Sequence, residues 1–464
     1  MTDLRTLVRG GTVVTADTET EADVLVVGER VHAVSIDLSD VPTDQVVDAT
    51  GCYVLPGGVD AHTHLDFPLQ GTTTSDDFET GSVAAAHGGT TTVINFALQQ
   101  RGRTLPASLE EWHHKAEKRS AIDYSFHLIV TDLYRGAADD LRHLVGEGIT
   151  SFKLYMAYPD DLMVDDGTIY RVLELAGREG ALVCLHAENG GVIDVLVQRA
   201  LADGRRGPAW HGATRPVSAE AEAVHRARCL ARLADAPLYI VHLSCEAALT
   251  EVEVGRAADE PVYAETCPHY LVLDDSRYSA PGFESAKYVV TPPLRSRADQ
   301  DVLWGGLRHG SLQVVASDHC PTCLAEKELL GRDDFSLIPN GAPGIEHRLV
   351  LLYHHGVRTS RLSLRRVVEL FATGPARLFG LFPRKGTIAP GADADLVVFD
   401  PRGTTPLGVE HHHMNVDYSL YQGMEVEGRV RTVLARGRVI VDAGRFVGEP
   451  GGGRFLPRGE SGRP

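Results

Sequence analysis

The sequence predicts an α/β protein, a (β/α)8 TIM-like barrel with a small β-sandwich domain formed by both chain ends. Three observations predict it. Eight short apolar runs recur through the middle of the chain: YVLPGGVDAHTH, TTTVINFAL, DYSFHLIVT, ITSFKLYMA, ALVCLHAE, PLYIVHLS, PVYAETCPHY and LQVVASDHCP. Helix-like segments such as LEEWHHKAEKRS, IYRVLELAGREG and SAEAEAVHRARCLARLAD lie between several of them, the alternation expected of parallel βα units. Valine-rich runs punctuated by Gly and Asp occupy both ends, and such runs suit strands.

In chain order, residues 1–54 read as the N-terminal part of the sandwich, in the strand-like runs TLVRGGTVV, DVLVVGERVHAVSI and QVVDATGCYVL. These runs predict a small antiparallel sheet. Residues 55–385 hold the eight runs and form the barrel, 386–447 return to strand texture in ADLVVFDP and GRVRTVLARGRVIVDAGRFV, and 448–464 are a C-terminal tail. An open doubly wound sheet would need a Gly-rich phosphate turn after its first strand. HTHLDFP stands there instead.

Composition narrows the function classes. The 464 residues include 45 Lys and Arg against 63 Asp and Glu, a net charge of −18, which argues against nucleic acid or an anionic membrane as partner. The first residues, MTDLRTLVRGGTVV, lack the apolar core of a signal peptide. No apolar run reaches the roughly 18 residues that span a bilayer. Seven scattered cysteines suit a reducing, cytoplasmic setting better than a disulfide framework. Cys320 and Cys323 form a lone CxxC, read as incidental.

Chemistry enters at the ends of the runs. His62 and His64 close the first run, two residues apart, so both imidazoles leave a strand on one side and converge on one point. Lys153 lies in the fourth run, His186 near the end of the fifth, His242 near the end of the sixth and Asp318 near the end of the eighth. Barrel enzymes gather their chemistry at the C-terminal ends of the strands. Taken singly, each histidine is better read as a hydrogen-bonded core residue. Together, four histidines and an aspartate suit divalent metal. Two closely spaced ions need a bridging ligand, and only Lys153, in the apolar stretch SFKLYMA, is placed to become one. Added carbon dioxide would turn its amine into an anionic carbamate. The plain alternative is a lysine paired with a carboxylate. His113, His114, His127, His143, His225, His354 and His355 have no such context, and His411-His412-His413 reads as a solvated loop.

The motifs GGVDAHTH, SFKLYMAY, HAENG, VHLS, ETCPHYL, TPPLR, SDHCP and PNGAPGIEHR, in this order, resemble the cyclic amidases of the amidohydrolase superfamily, nearest to the dihydropyrimidinase/D-hydantoinase group. The resemblance covers nearly the whole chain, including NVDYSLYQGMEVEGRV and GGGRFLPR. It implies a binuclear centre, usually Zn2+, with His62, His64 and Asp318 on the first ion, His186 and His242 on the second, and carbamylated Lys153 bridging both. It implies hydrolysis of a ring amide to an N-carbamoyl amino acid by a metal-bridging hydroxide, with Asp318 as proton shuttle and Tyr158 stabilising the oxyanion. Thr291 and Asn340 align with positions that hold the ring amide, and the group commonly forms homotetramers.

Some positions depart from the pattern of the group. Asn95 stands where Asp is usual, His269 where Gln is usual and Thr291 where Ser is usual. Leu65, Phe67, Tyr155 and Leu162 are candidates for the apolar wall around the ring substituent. Two other readings compete. An allantoinase is typically richer in Glu, Pro and Arg after its first histidine pair than LDFPLQGTTTSDDF is. A non-catalytic dihydropyrimidinase-like scaffold would have lost ligands, whereas all six candidates are present here.

Overall fold

The computed structural model describes residues 4–159 and 161–462. All eight runs contribute barrel strands: Gly58–Thr63, Thr90–Leu98, Asp123–Ile129, Ser151–Tyr155, Leu182–His186, Leu238–Ile240, Val262–Thr266 and Val314–Val315. They pair in that order, and every pairing is parallel. Both faces of such a sheet are covered, which explains strands that read as continuous apolar runs rather than alternating ones; Thr90–Ala97 is buried throughout.

The ring closes between its first and last strands. Thr63 and His319 form a parallel bridge, and the His64 N–H donates to the His319 carbonyl at 2.9 Å. Beneath them the buried guanidinium of Arg348 donates to the carbonyls of Val59 on the first strand and Val315 on the eighth, each at 3.0 Å. It also donates to Thr90 Oγ1 at 3.0 Å. Asp60 lies 3.7 Å from its Nε and accepts from Ser317 N at 3.0 Å across the seam.

Both chain ends share one nine-stranded sheet. Leu396–Leu407 pairs antiparallel with Tyr53–Pro56, joining the C-terminal strands to the N-terminal ones. The N-terminal portion is mixed rather than purely antiparallel, because Gln45–Asp48 and Tyr53–Pro56 run parallel to Arg5–Val14. The sheet has a core of its own, with Val8, Val24 and Val54 from the N-terminal strands against Leu396, Val398 and Leu434.

The first run is therefore two strands. Tyr53–Pro56 belongs to the terminal sheet and Gly58–Thr63 to the barrel. The chain crosses between them at Gly57-Gly58, where side chains have no room. A Cβ on Gly57 would sit 2.2 Å from Thr91 Oγ1, and one on Gly58 2.2 Å from the Phe371 ring.

The last residues pack on the barrel. Leu456 donates to the Tyr124 carbonyl at 2.8 Å, and its side chain joins Phe379, Tyr239 and Cys184 in one buried cluster. The buried Arg458 bonds Ser125 at 3.0 Å and Ser151 at 2.8 Å. No helix among the described residues is long and apolar enough to cross a membrane.

Arg348→Met leaves the seam carbonyls and Asp60 without their buried cation. It is expected to cost about 3–5 kcal/mol, read as a lowered denaturant midpoint at an unchanged slope.

Candidate metal centre

The sequence-predicted ligands meet at one mouth of the barrel. His62 is held within the first strand, His64 follows it, and Asp318 lies just past the eighth strand. Asp318 Oδ1 is 3.0 Å from His62 Nε2 and 3.5 Å from His64 Nε2. The three gather donor atoms within 4.8 Å of one another. The other ring nitrogen of His62 is taken by the buried carboxylate of Glu265, which also accepts from the Tyr239 hydroxyl at 2.8 Å. That bond fixes the ring's orientation and leaves Nε2 for the mouth, the usual service of a carboxylate behind a metal-binding histidine.

His186 ends the fifth strand and His242 follows the sixth. His186 Nδ1 and His242 Nε2 face each other at 2.9 Å. Behind His186, Nε2 contacts Glu188 at 2.9 Å, and Arg215 lies 3.4 Å from the same carboxylate oxygen. Two imidazoles are an incomplete set for an ion, and no third histidine, cysteine or carboxylate joins them among the described residues.

Lys153 lies beside both histidine sets. It is wholly buried, and its Nζ has no hydrogen-bond partner among the described residues. No carboxylate pairs with it among the described residues; instead Nζ stands 4.8 Å over the rings of Phe96 and Tyr155. The paired-lysine alternative therefore fails. Its charge acts on His64, His186 and His242 alike. An isolated buried ammonium is costly, and burial lowers Lys153 to about 8. The donor set and this orphaned nitrogen fit a two-ion centre with an anionic group on Lys153.

The electrostatics of the mouth are uneven. Burial opposes charge on His62, but Asp318 and Glu265 raise it to about 9. Burial takes His64 down to about 4. Burial would raise the Asp318 carboxyl, but the charge of His62 and hydrogen bonds from both histidines hold it well below the usual range. Burial pushes Tyr158 up to about 12, so its hydroxyl keeps its proton and can donate. Tyr158, His242 and Asp318 all have positive φ, at 66°, 40° and 49°. Such backbone is costly for a residue with a side chain and clusters at functional sites.

Phe67, Tyr155, Tyr158, Leu162, Thr291 and Asn340 line the pocket above these groups. Asn340 Nδ2 donates to the Tyr158 hydroxyl at 3.3 Å. Leu65 is a correction: it faces helix Phe78–His87, so close that a Cβ on Gly81 would lie 2.3 Å from its Cδ2. Asn95 holds the loop after the first strand, accepting from Thr63 Oγ1 at 2.9 Å and Leu65 N at 2.8 Å. His269 is buried with Nε2 unpartnered among the described residues, and with Cys267 and Asp318 it forms a second group of three donors.

Glu265, Glu188 and Gln70 escaped the sequence reading, and Cys320, read as incidental, lines the pocket. Glu265 and Glu188 had a signal, because each is part of a motif already singled out, ETCPHYL and HAENG; Gln70, in a polar loop, had none. The His411-His412-His413 run is a loop with His411 and His413 exposed; within it His413 Nδ1 meets Glu346 at 2.8 Å and its ring stacks on His87 at 3.4 Å. The seven cysteines are free.

The sequence pattern of the amidohydrolase family matches residues 53–206 and 266–440. This chain belongs to the amidohydrolase family. Among curated relatives, a D-hydantoinase of Streptomyces coelicolor is 49% identical over 458 residues, 98% of each chain. A D-hydantoinase of Geobacillus stearothermophilus is 48% identical over 457 residues, 98% of this chain and 97% of that one. The crystal structure of a dihydropyrimidinase from Brevibacillus agri superimposes with a TM-score of 0.98 at 49% identity, over 99% of this chain and all of the other. For an amidohydrolase with this arrangement, Glu265→Gln should weaken metal binding by about 10–100-fold, measured by competition with a chelator.

Proposed function

We propose that this cyclic amidohydrolase opens hydantoin or dihydropyrimidine rings to N-carbamoyl amino acids. The observation that carries the reading is the unpartnered, buried Lys153 beside two histidine sets at one mouth. His62, His64 and Asp318 would hold one divalent ion, His186 and His242 a second, and Lys153 as its carbamate would bridge them. Zinc suits imidazole and carboxylate donors. Burial favours the free amine of Lys153, the form that adds carbon dioxide, giving the carbamate and one released proton. When bound, two such ions supply Lewis acidity and lower the pKa of water toward neutrality.

The remaining work falls to the chain. Backbone groups at Thr291 and Asn340 hold the ring amide against Tyr158, whose hydroxyl donates to the carbonyl oxygen as charge develops there. Asp318, ionised at neutral pH, accepts the proton of the attacking water and delivers it to the departing ring nitrogen, base first and acid second. Phe67, Tyr155 and Leu162 form the apolar wall facing the ring substituent. The same proposal includes a homotetramer, by likeness to the group, and a cytoplasmic location, which seven unpaired cysteines favour.

Ring opening of dihydrouracil, 5-phenylhydantoin and allantoin by the zinc-loaded protein tests the reading. Turnover of either of the first two is expected. Allantoin alone would make the chain an allantoinase, and a protein without stoichiometric metal would be a scaffold. Lys153→Ala should lose the metal pair and activity, and added short carboxylates should partly restore both; full metal content in this variant would sink the bridge. Tyr158→Phe should lower kcat by about 10²–10³ with metal content unchanged, as read by metal analysis beside the rate.

A further inference from the structure

We propose that Lys327 is a positioning residue for substrate binding, tying the two peptide segments that carry Thr291 and Asn340 into a single platform. This rests on the reading of those two residues as holders of the ring amide. Lys327 lies on helix Leu324–Gly331 and is wholly buried. Its Nζ donates to the carbonyls of Pro339 at 2.9 Å and Gly341 at 2.8 Å, on either side of Asn340. It reaches a third carbonyl, Val289, two residues before Thr291, at 3.4 Å. Burial lowers Lys327 to about 7; its ammonium has three N–H donors for the three carbonyls, and its free amine still has two for the pair beside Asn340.

The two segments need such a tie. Neither 289–291 nor 339–341 is helix or strand, so neither has a ladder to set its place. One direct bond joins them, from Gly341 N to the Val289 carbonyl at 3.0 Å, and that carbonyl is the one Lys327 also reaches. The segment has little slack elsewhere. Gly341 has φ of 123°, and a Cβ there would lie 2.4 Å from the Cys320 carbonyl. Asn340 N donates to Gln70 Oε1 at 2.8 Å, and its side chain reaches Tyr158.

Lys327 has no carboxylate partner among the described residues. It does not line the pocket or approach the six ligand candidates. A lysine buried without an acid is costly, and here its three bonds fall on backbone next to the pocket residues Thr291 and Asn340. Its effect reaches the reaction only through the position of those peptide groups. Loss of the tie should therefore weaken ring binding and spare the metal set.

Metal-loaded wild type and Lys327→Met would be compared on dihydrouracil and 5-phenylhydantoin, with metal content and amide hydrogen exchange followed in both. The expected result is a KM raised by about tenfold for both substrates, with kcat and metal content nearly unchanged. The ratio of the two KM values should stay constant, because the ring amide is common to both substrates and the substituent wall is untouched. Exchange at 289–291 and at Asn340 and Gly341 should rise together while Val262–Thr266 stays protected. Lys327→Gln, which keeps two donors on a shorter stem, carries the same test if the Met variant does not fold. Unchanged KM and exchange would overturn the proposal, as would loss of metal or of kcat in place of KM. If wild type opens neither ring, the functional reading falls, and the joint change in exchange alone decides whether Lys327 ties the segments.

Discussion

A barrel of eight parallel strands has to close, and in this chain the closure and the candidate metal centre share one seam. His62 comes from its first strand, His64 from just past that strand and Asp318 from just past its last. The bonds that draw those strands together, from Arg348 to Val59 and Val315 and between Asp60 and Ser317, lie directly beneath. The Asp318–His62 distance is thus a property of the closed ring rather than of either segment. A buried cation bonded to both sides resists opening, because separating the strands would leave donors and carbonyls unsatisfied in an apolar interior.

That closure supports strain at the mouth. Tyr158, His242 and Asp318 each adopt a backbone conformation costing on the order of 1–3 kcal/mol for a residue with a side chain. Each sits where a chain leaves a strand and has to turn its side chain back over the barrel. The neighbouring carboxylates oppose a different cost. Glu265 and Glu188 each take one nitrogen of a histidine and so present the other to the mouth. Without them the buried imidazoles would be free to rotate, and each new ligand orientation would have to be selected by the ion itself.

Lys153 is the exception to this pattern of satisfied polar groups. Every other candidate ligand has a carboxylate or imidazole against it or an orienting bond behind it, whereas Lys153 Nζ has no hydrogen-bond partner among the described residues and stands over two aromatic faces. The pocket above is finished by loops from separate parts of the chain. Asn95 pins the first of them, and the carbonyls near Asn340 and Thr291 converge on Lys327.

The sequence by itself determined the fold class and pointed to the six candidate ligands. Eight apolar runs reflect strands buried on both faces, and the His62/His64 spacing reflects the two-residue repeat of a strand; both are local and survive without knowledge of the fold. Only the tertiary structure decided that YVLPGGVDAHTH divides between two sheets, since nothing in its composition marks which neighbour each half will meet. Leu65 looked like a pocket residue because it follows the histidines, yet the turn there, held by Asn95, sends it toward Gly81. Glu265, Gln70 and Lys327 act through partners roughly 200, 270 and 12–38 residues away along the chain. Such pairings arise from how the barrel closes and how its loops pack, and a linear pattern carries no record of either.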